Sequence, residues 1–356
     1  MEEEIKNLMM VWSMAAATMC YSHTIGKVIL QGPPRLIALI PAIVTLLLLP
    51  LRLISIHLGG PSSFFLAWLS TFKLLLFAFG KGPLSSNPPL SLPHFVPIAL
   101  LPIKPQTQPQ QPLQEPTFNH ALLILAIFIP FYATKYHLHP TFTLFLYALH
   151  MYIGLEFIFA LISTASRKLL GVHLEPHFNH PYRSTSLQDF WGNRWNIMVN
   201  RLLHPTVYRP VATLSARLVG RKWAPLPAIL ATFAVSAVMH ELVFYYIKRE
   251  KRTWEAWEPS WDAASFFLIH GAGVALEVAL KNALRGWHVP RLLSCLLTLA
   301  FVLYTGLCLF VPALVRCRVY QKATRELTAL THFAEGFANV TTTCSSLITH
   351  QFMQLL

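Results

Sequence analysis

The sequence predicts an all-α polytopic membrane protein of about eight transmembrane helices, range seven to nine, with additional interfacial amphipathic helices. Three observations predict it. The 356 residues are 54% hydrophobic and 12% charged, where a soluble domain carries roughly 25% charged residues. Mean hydropathy is +0.49. Several windows approach the roughly 20 consecutive apolar residues that cross a bilayer.

In chain order, the apolar runs place spans at about 8–30, 36–56, 62–79, 120–136, 141–165, 226–247, 263–284 and 289–315. The start, Met1-Glu2-Glu3-Glu4, lacks a basic region, so the first span is expected to stay as an anchor and not act as a cleaved signal. The run 94–103 is too short to cross and reads as re-entrant or interfacial. Residues 104–119 form a Pro/Gln-rich linker, and 317–356 a C-terminal tail, on a single membrane-embedded domain covering 1–356. The cysteines Cys20, Cys295, Cys308, Cys317 and Cys344 form no CxxC pair and read as small buried residues, not as a disulfide or zinc framework. Asn339-Val340-Thr341 fits a glycosylation sequon, a short pattern that is weak alone.

Net charge is +13. In so apolar a chain this points to anionic headgroups or a polyanionic substrate, not to nucleic acid. The longest hydrophilic stretch, 166–225, holds nine basic residues against Glu175 and Asp189, which makes it cytosolic by the positive-inside rule. The loop 248–262 carries Lys248, Arg249, Lys251 and Arg252 and falls on the opposite face if 226–247 crosses once. The two loops compete, and the larger excess sets the orientation.

Within the basic stretch, Ser186-Leu-Gln-Asp-Phe-Trp-Gly-Asn-Arg-Trp-Asn196 wound as one helix splits into two stripes. Leu187, Trp191, Trp195, Met198 and Leu202 fall on one side; Asp189, Asn193, Asn196 and Asn200 fall on the other. Ser186 and Asp189 make a capping start, and His204-Pro205 a stop. The Trp face, flanked by Arg194 and Arg201, suits a membrane interface, and the amide face suits the wall of a site.

Ionisable groups within apolar spans are costly and each needs a reason. His240 sits about two thirds along its span, one turn after Ser236 and next to Glu241. A neutral imidazole, the proton-accepting form, is expected there, although a buried histidine bonded to a neighbouring helix fits equally well. His270, Gly273, Glu277 and Lys281 form a polar and small stripe on 263–284, which suits helix packing with a Glu277–Lys281 pair somewhat better than direct chemistry. His150, Gly154 and Glu156 read as packing too.

No metal site is expected. His173, His177 and His180 resemble a di-iron histidine box, but Pro176 interrupts the helix such a box needs, and no further HxxHH cluster exists. His240-Glu241 begins like a zincin motif, yet Phe244 stands where its second histidine belongs.

Phe190-Trp191 to Trp195-Asn196 and the intramembrane His240, 44 residues later, together resemble the membrane-bound O-acyltransferase family. Leu58-Gly-Gly-Pro61, Phe72 to Phe79, Leu84 to Leu92, Thr185 to Asn196 and Val235 to Glu241 are similar to its plant wax synthase branch. The resemblance implies acyl-CoA-dependent esterification in the endoplasmic reticulum membrane, through an intramembrane tunnel, with no cofactor. It implies His240 and Asn196 as the catalytic pair. Asp189, Trp191, Asn193, Trp195, Ser236, Glu241 and His270 are then supporting or tunnel-lining, and Arg183, Arg194, Arg201 and Arg209 hold the CoA phosphates. The implied partners are fatty acyl-CoA, a long-chain fatty alcohol or a sterol, and membrane lipids; the oligomeric state is open. A proton-coupled transporter, with His240, His270 and Glu277 lining its path, is the reading from another class.

Overall fold

The computed structural model describes residues 2–105, 138–171, 174–252, 255–284, 290–323, 325, 326 and 328. The expected span at 120–136, most of the Pro/Gln-rich linker, His173, the sequon, Cys344 and most of the tail lie outside the described residues. Among the described residues all regular structure is helical, apart from one isolated antiparallel bridge between Pro105 and Leu174.

Helix α1 is Glu2–Val28 and α2 is Pro33–Leu48, started by Pro33 and Pro34 and extended by a 3-10 turn over Leu49–Arg52. α3 (Ile56–Ser63) runs through a π-helical segment, Phe64–Ser70, into α4 (Thr71–Ala78). α5 is the short Leu92–Leu100, and its Phe95, Ile98, Ala99 and Leu100 are buried. The run at 94–103 therefore folds into the bundle without crossing it. α6 (Pro140–Leu170) is opened by Pro140 and closed by Gly171 in the left-handed conformation.

Six helices among the described residues are long and apolar enough to cross a membrane: Pro33–Arg52, Ile56–Ala78, Pro140–Leu170, Pro225–Lys248, Asp262–Ala283 and Arg291–Arg316. α1 is long enough at 27 residues, but the polar run through Thr18, Ser22, His23 and Thr24 leaves it outside that set.

The basic stretch departs from the single amphipathic helix expected of it. It folds as α7 (Leu187–Asp189), a π turn (Phe190–Arg194), α8 (Ile197–Leu203), a second π turn (His204–Tyr208) and α9 (Arg209–Val219). Ser186 caps the start as expected, its Oγ accepting the Asp189 N–H at 2.9 Å. His204-Pro205 does not stop the chain, which winds on to Val219. The break falls at Trp195 and Asn196: Trp195 is extended and Asn196 is left-handed at φ 41°. Asparagine tolerates that conformation better than most side chains. The two opposed stripes therefore do not exist as one surface.

α10 (Pro225–Lys248) and α11 (Asp262–Ala283) pack extensively. A Cβ on Gly271 would lie 2.7 Å from Phe233 Cβ, so glycine sets how closely the two helices approach. α12 (Arg291–Thr305) continues through a π turn, Gly306–Phe310, into α13 (Val311–Arg316).

Buried charges satisfy helix ends. Lys73 is 0% exposed, and its Nζ donates to the carbonyls of Ile98 (2.6 Å), Leu101 (2.5 Å) and Ile103 (3.5 Å) where α5 ends. Arg35 donates to Gly26 O (3.0 Å), Ile29 O (2.6 Å) and Phe77 O (3.3 Å), closing α1. Lys322 Nζ caps the last carbonyls of α10, at 3.0 Å from Ile247 O and 2.9 Å from Arg249 O. Glu326 caps α3, accepting from Ile56 N (2.7 Å) and Ser55 Oγ (2.8 Å). The start of the C-terminal stretch is thus a strap joining α10 to α3.

The second basic loop is largely neutralised. Lys248 pairs with Glu258 at 3.0 Å, and Arg252 pairs with Glu3 and with Glu4.

Lys73→Met keeps the length of the side chain and removes the ammonium from three carbonyls, of which, among the described residues, only Leu101 O keeps a backbone donor, Ile103 N at 2.8 Å. It is expected to lower stability by about 2–4 kcal/mol. A thermal melt of the purified protein in detergent checks this; an unchanged melting temperature contradicts the cap.

Candidate active site

The His240 ring is held on three sides by aromatic side chains. Phe267 of α11 stacks on it, centroids 3.9 Å apart at 24°. Trp68 meets it edge-on at 4.8 Å and 83°, and Phe310 at 5.8 Å and 78°. His240 Nδ1 lies 2.8 Å from the carbonyl of Ser236. A carbonyl only accepts, so Nδ1 carries the hydrogen and Nε2 presents a lone pair. Among the described residues nothing bonds Nε2. Ser236 therefore contributes through its backbone, one turn back, where a helical side chain naturally reaches.

Glu241 turns away from this ring. It accepts from Ser260 N and Ser260 Oγ, both at 2.9 Å, and from Ala264 N at 3.2 Å, capping α11. It also lines a cavity of about 400 Å³ with Phe244, Tyr245, Asp262 and Cys317.

Trp191 is the hub of the motif. Its indole Nε1–H donates to His270 Nδ1 at 3.0 Å, and His270 Nε2 bonds Thr305 Oγ1 at 2.8 Å. His270 is 0% exposed with both nitrogens engaged, so it supports the site and does not line an open tunnel. The Trp191 ring also meets Phe233, Phe266 and Phe267 at 5.6, 6.1 and 5.9 Å. Phe267 thereby links the motif to His240.

The rest of the polar stripe on α11 docks the same segment. A Cβ on Gly273 would sit 2.9 Å from Leu187 Cδ1. Glu277 accepts from Leu187 N at 2.9 Å and pairs with Lys281, which reaches Gln188 Oε1 at 3.3 Å. This is the packing role that the spacing favoured.

Asp189 and Asn193 build the loop. Asp189 pairs with Arg194 at 2.6 Å and accepts from Asn193 Nδ2 at 3.3 Å and Thr185 N at 3.4 Å. Burial by itself would raise the Asp189 carboxyl, but these bonds outweigh it and hold the group below the usual carboxylate range. Arg194 also donates to Asn179 O at 3.2 Å, so this guanidinium is committed to the fold. Trp195 stacks on Phe190 at 5.5 Å and on Tyr152 at 5.8 Å. Tyr152 in turn donates to Glu156.

Asn196 opens α8, whose Met198 and Leu202 pack with Trp68 and Met239, the neighbours of His240. Its Oδ1 is buried with no hydrogen-bond partner. A buried polar atom without a partner needs an explanation. Asn200 is different: its Nδ2 donates to Gly192 O at 2.7 Å and pins the π turn.

The remaining cations are more open. Arg201 lies 3.7 Å from Glu175 with its side chain 58% exposed, Arg183 reaches over the Tyr182 ring, and Arg209 is exposed.

Of the three-histidine cluster, His177 stacks on Phe159 at 4.2 Å and bonds Pro102 O at 2.5 Å. Burial, against the opposing pull of that bond, brings His177 down to about 4. His180 Nδ1 bonds the Tyr182 hydroxyl at 2.7 Å. Both described members have structural partners.

Sequence reasoning missed Trp68, Phe267 and Phe310. Their only signal was aromatic character in apolar runs, which most buried aromatics share.

Asn196 and Asn200 are expected to separate in a stability assay. Asn200→Ala removes a bond to a carbonyl and should cost about 1–2 kcal/mol; Asn196→Gly removes no side-chain bond, suits the left-handed backbone and should leave the melting temperature near wild type. Equal losses contradict the distinction.

The model of the membrane bound O-acyl transferase family matches residues 174–269, which span the motif, His240 and the first third of α11. An acyl-CoA–sterol O-acyltransferase of Arabidopsis thaliana is 41% identical over 341 residues, covering 91% of this chain and 94% of its own. A long-chain-alcohol O-fatty-acyltransferase of Simmondsia chinensis is 39% identical over 348 residues, covering 94% and 97%. A probable long-chain-alcohol O-fatty-acyltransferase of Arabidopsis thaliana is 36% identical over 350 residues, covering 95% and 100%. These matches favour no transporter, and His270 and Glu277, which a proton path would need, are engaged in packing. The chain belongs to the membrane-bound O-acyltransferase family and is an acyl-CoA-dependent O-acyltransferase.

Proposed function

We propose that the protein transfers a fatty acyl group from acyl-CoA to the hydroxyl of a long-chain fatty alcohol, giving a wax ester and CoA, at the endoplasmic reticulum membrane. The observation that carries the reading is the unbonded Nε2 of His240, held in an apolar aromatic cage. In this scheme Nε2 takes the hydroxyl proton as the alcohol oxygen attacks the thioester carbonyl. The new C–O bond forms, and the C–S bond breaks as the tetrahedral intermediate collapses. The proton passes from Nε2 to the departing thiolate, and His240 is neutral again. The Asn196 amide, with hydrogen-bonding capacity unused by the fold, either meets the oxygen that gains negative charge or orients a substrate. No cofactor is required. In this reading the basic segment lies on the cytosolic side and Arg183 and Arg201 meet the CoA phosphates, whereas Arg194 is committed to Asp189.

The sterol O-acyltransferase relative favours a second reading, the same chemistry with a sterol as acceptor. Microsomes from a host lacking neutral-lipid acyltransferases, given labelled acyl-CoA with hexadecanol or a sterol, decide between them. Wax ester without steryl ester is the expected result; steryl ester alone establishes the second reading, and no ester from either acceptor overturns both.

His240→Ala is expected to lower turnover by about 10²–10⁴-fold at near-normal protein abundance. Near-normal turnover makes the ring a packing group. Asn196→Ala is expected to lose about 2.7–4 kcal/mol, mainly in kcat, if the amide stabilises developing charge. A loss confined to KM makes it a substrate-holding group instead.

A further inference from the structure

Away from His240, the hydrophilic face carries a groove of about 430 Å³ lined by Lys81, Pro205, Arg209, Thr213, Leu214 and Arg217. Arg209, Thr213 and Arg217 stand at i, i+4 and i+8 on α9, one stripe of the helix. Lys81 faces them from the turn after α4. That turn is firmly built: Gly80 and Gly82 both have positive φ, at 67° and 78°, and Lys81 N bonds Leu76 O at 2.9 Å. Three cations therefore converge with no acidic residue among the lining groups, and none of the three makes an ion pair among the described residues. The nearby His204 has a lowered affinity for a proton, through burial first and then the charges of Arg209, which lines the groove, and Arg201, which does not.

The surface beside the cations is apolar. Leu214, Leu218 and Val219 are 61%, 80% and 47% exposed, and Trp223 follows them at 38%. A soluble surface rarely combines bare leucines with unpaired arginines on adjacent stripes, but an interfacial helix does. Its cations meet headgroup phosphate while its leucines meet acyl chains.

We propose that the groove of Lys81, Arg209 and Arg217 is a binding site for the phosphate of an anionic phospholipid, whose acyl chains lie along Leu214 and Leu218. Charge and shape select this occupant. A zwitterionic headgroup would bring an ammonium into an all-cationic groove. The phosphates of CoA lie far from its acyl chain, so CoA would leave the adjoining leucines uncovered. The site takes Arg209 out of the set first expected to hold CoA.

The test uses the full chain, delipidated in detergent and titrated with phosphatidic acid or phosphatidylcholine, with retained lipid counted by native mass spectrometry. Wild type is expected to retain one phosphatidic acid in preference to phosphatidylcholine. The Lys81→Gln, Arg217→Gln double variant should weaken that retention by about tenfold or more. Arg221→Gln, beyond the groove on the same surface, should leave retention unchanged. Both substitution sites are exposed, and a thermal melt confirms that the variants fold. The proposal is overturned if the two lipids are retained alike, if the double variant retains phosphatidic acid as wild type does, or if Arg221→Gln weakens retention equally. It is also overturned if free CoA displaces the retained lipid, which makes the groove a nucleotide site.

Discussion

The hydrogen bond from Trp191 to His270 is the constraint on which the site depends. It joins a segment built of short α and π turns to the middle of α11, and His270 passes the connection to Thr305 on α12. Three parts of the chain, 79 and then 35 residues apart, are fixed by one imidazole with both nitrogens engaged. The same indole packs on Phe267, the ring stacked on His240. Loss of that one bond would leave a partly buried N–H and a buried ring nitrogen unpaired and loosen the floor of the histidine cage. The two histidines therefore divide the work: His270 has every nitrogen committed, and His240 has one nitrogen left over.

The class of fold was legible in the sequence, and His240 stood out as a candidate, because each rests on a local signal. Apolar run length reports a span, and a lone histidine inside such a run is visible without tertiary information. The spacing of His270, Gly273, Glu277 and Lys281 marked a packing stripe, though not what it packs against. The conformation of the motif was not legible. Periodicity assumes 100° per residue throughout, and it gave two clean stripes across a segment that contains a π turn and a left-handed Asn196. Gly192 and the asparagines, weak helix formers, were the available warning. The aromatic cage was hidden for another reason: Trp68, Phe267 and Phe310 come together only in three dimensions.

Charge within the bundle was also only partly readable. Lys73 and Arg35 sit in apolar runs where charge is costly, and each is accommodated at a neighbouring helix end. An unsatisfied helix terminus and a buried cation have complementary needs, since the last carbonyls carry partial negative charge. The chain uses this exchange repeatedly: Lys322 closes α10, while Glu241 and Glu326 open α11 and α3. Such bonds reach across 9 to 270 residues, and most of them lie beyond any window that pattern reading uses. They also account for ionisable residues that chemistry might otherwise claim, Glu241 above all.

The partner of His240 Nδ1 fits the reaction proposed for it. A hydrolytic triad places a carboxylate there, and the carboxylate stabilises the imidazolium formed when a hydroxyl attacks a poorly activated carbonyl. Here the partner is the carbonyl of Ser236, which fixes the tautomer and the ring but offers only a dipole. A neutral amide carbonyl suffices where the acyl donor is a thioester, because a thiolate is a good leaving group and the ring need not hold the proton for long. A carboxylate in an apolar cage would bring its own desolvation cost. Held by a backbone oxygen and aromatic faces, the ring needs no second charge, and the apolar surroundings that make a charged pair expensive suit a long-chain acyl donor and alcohol.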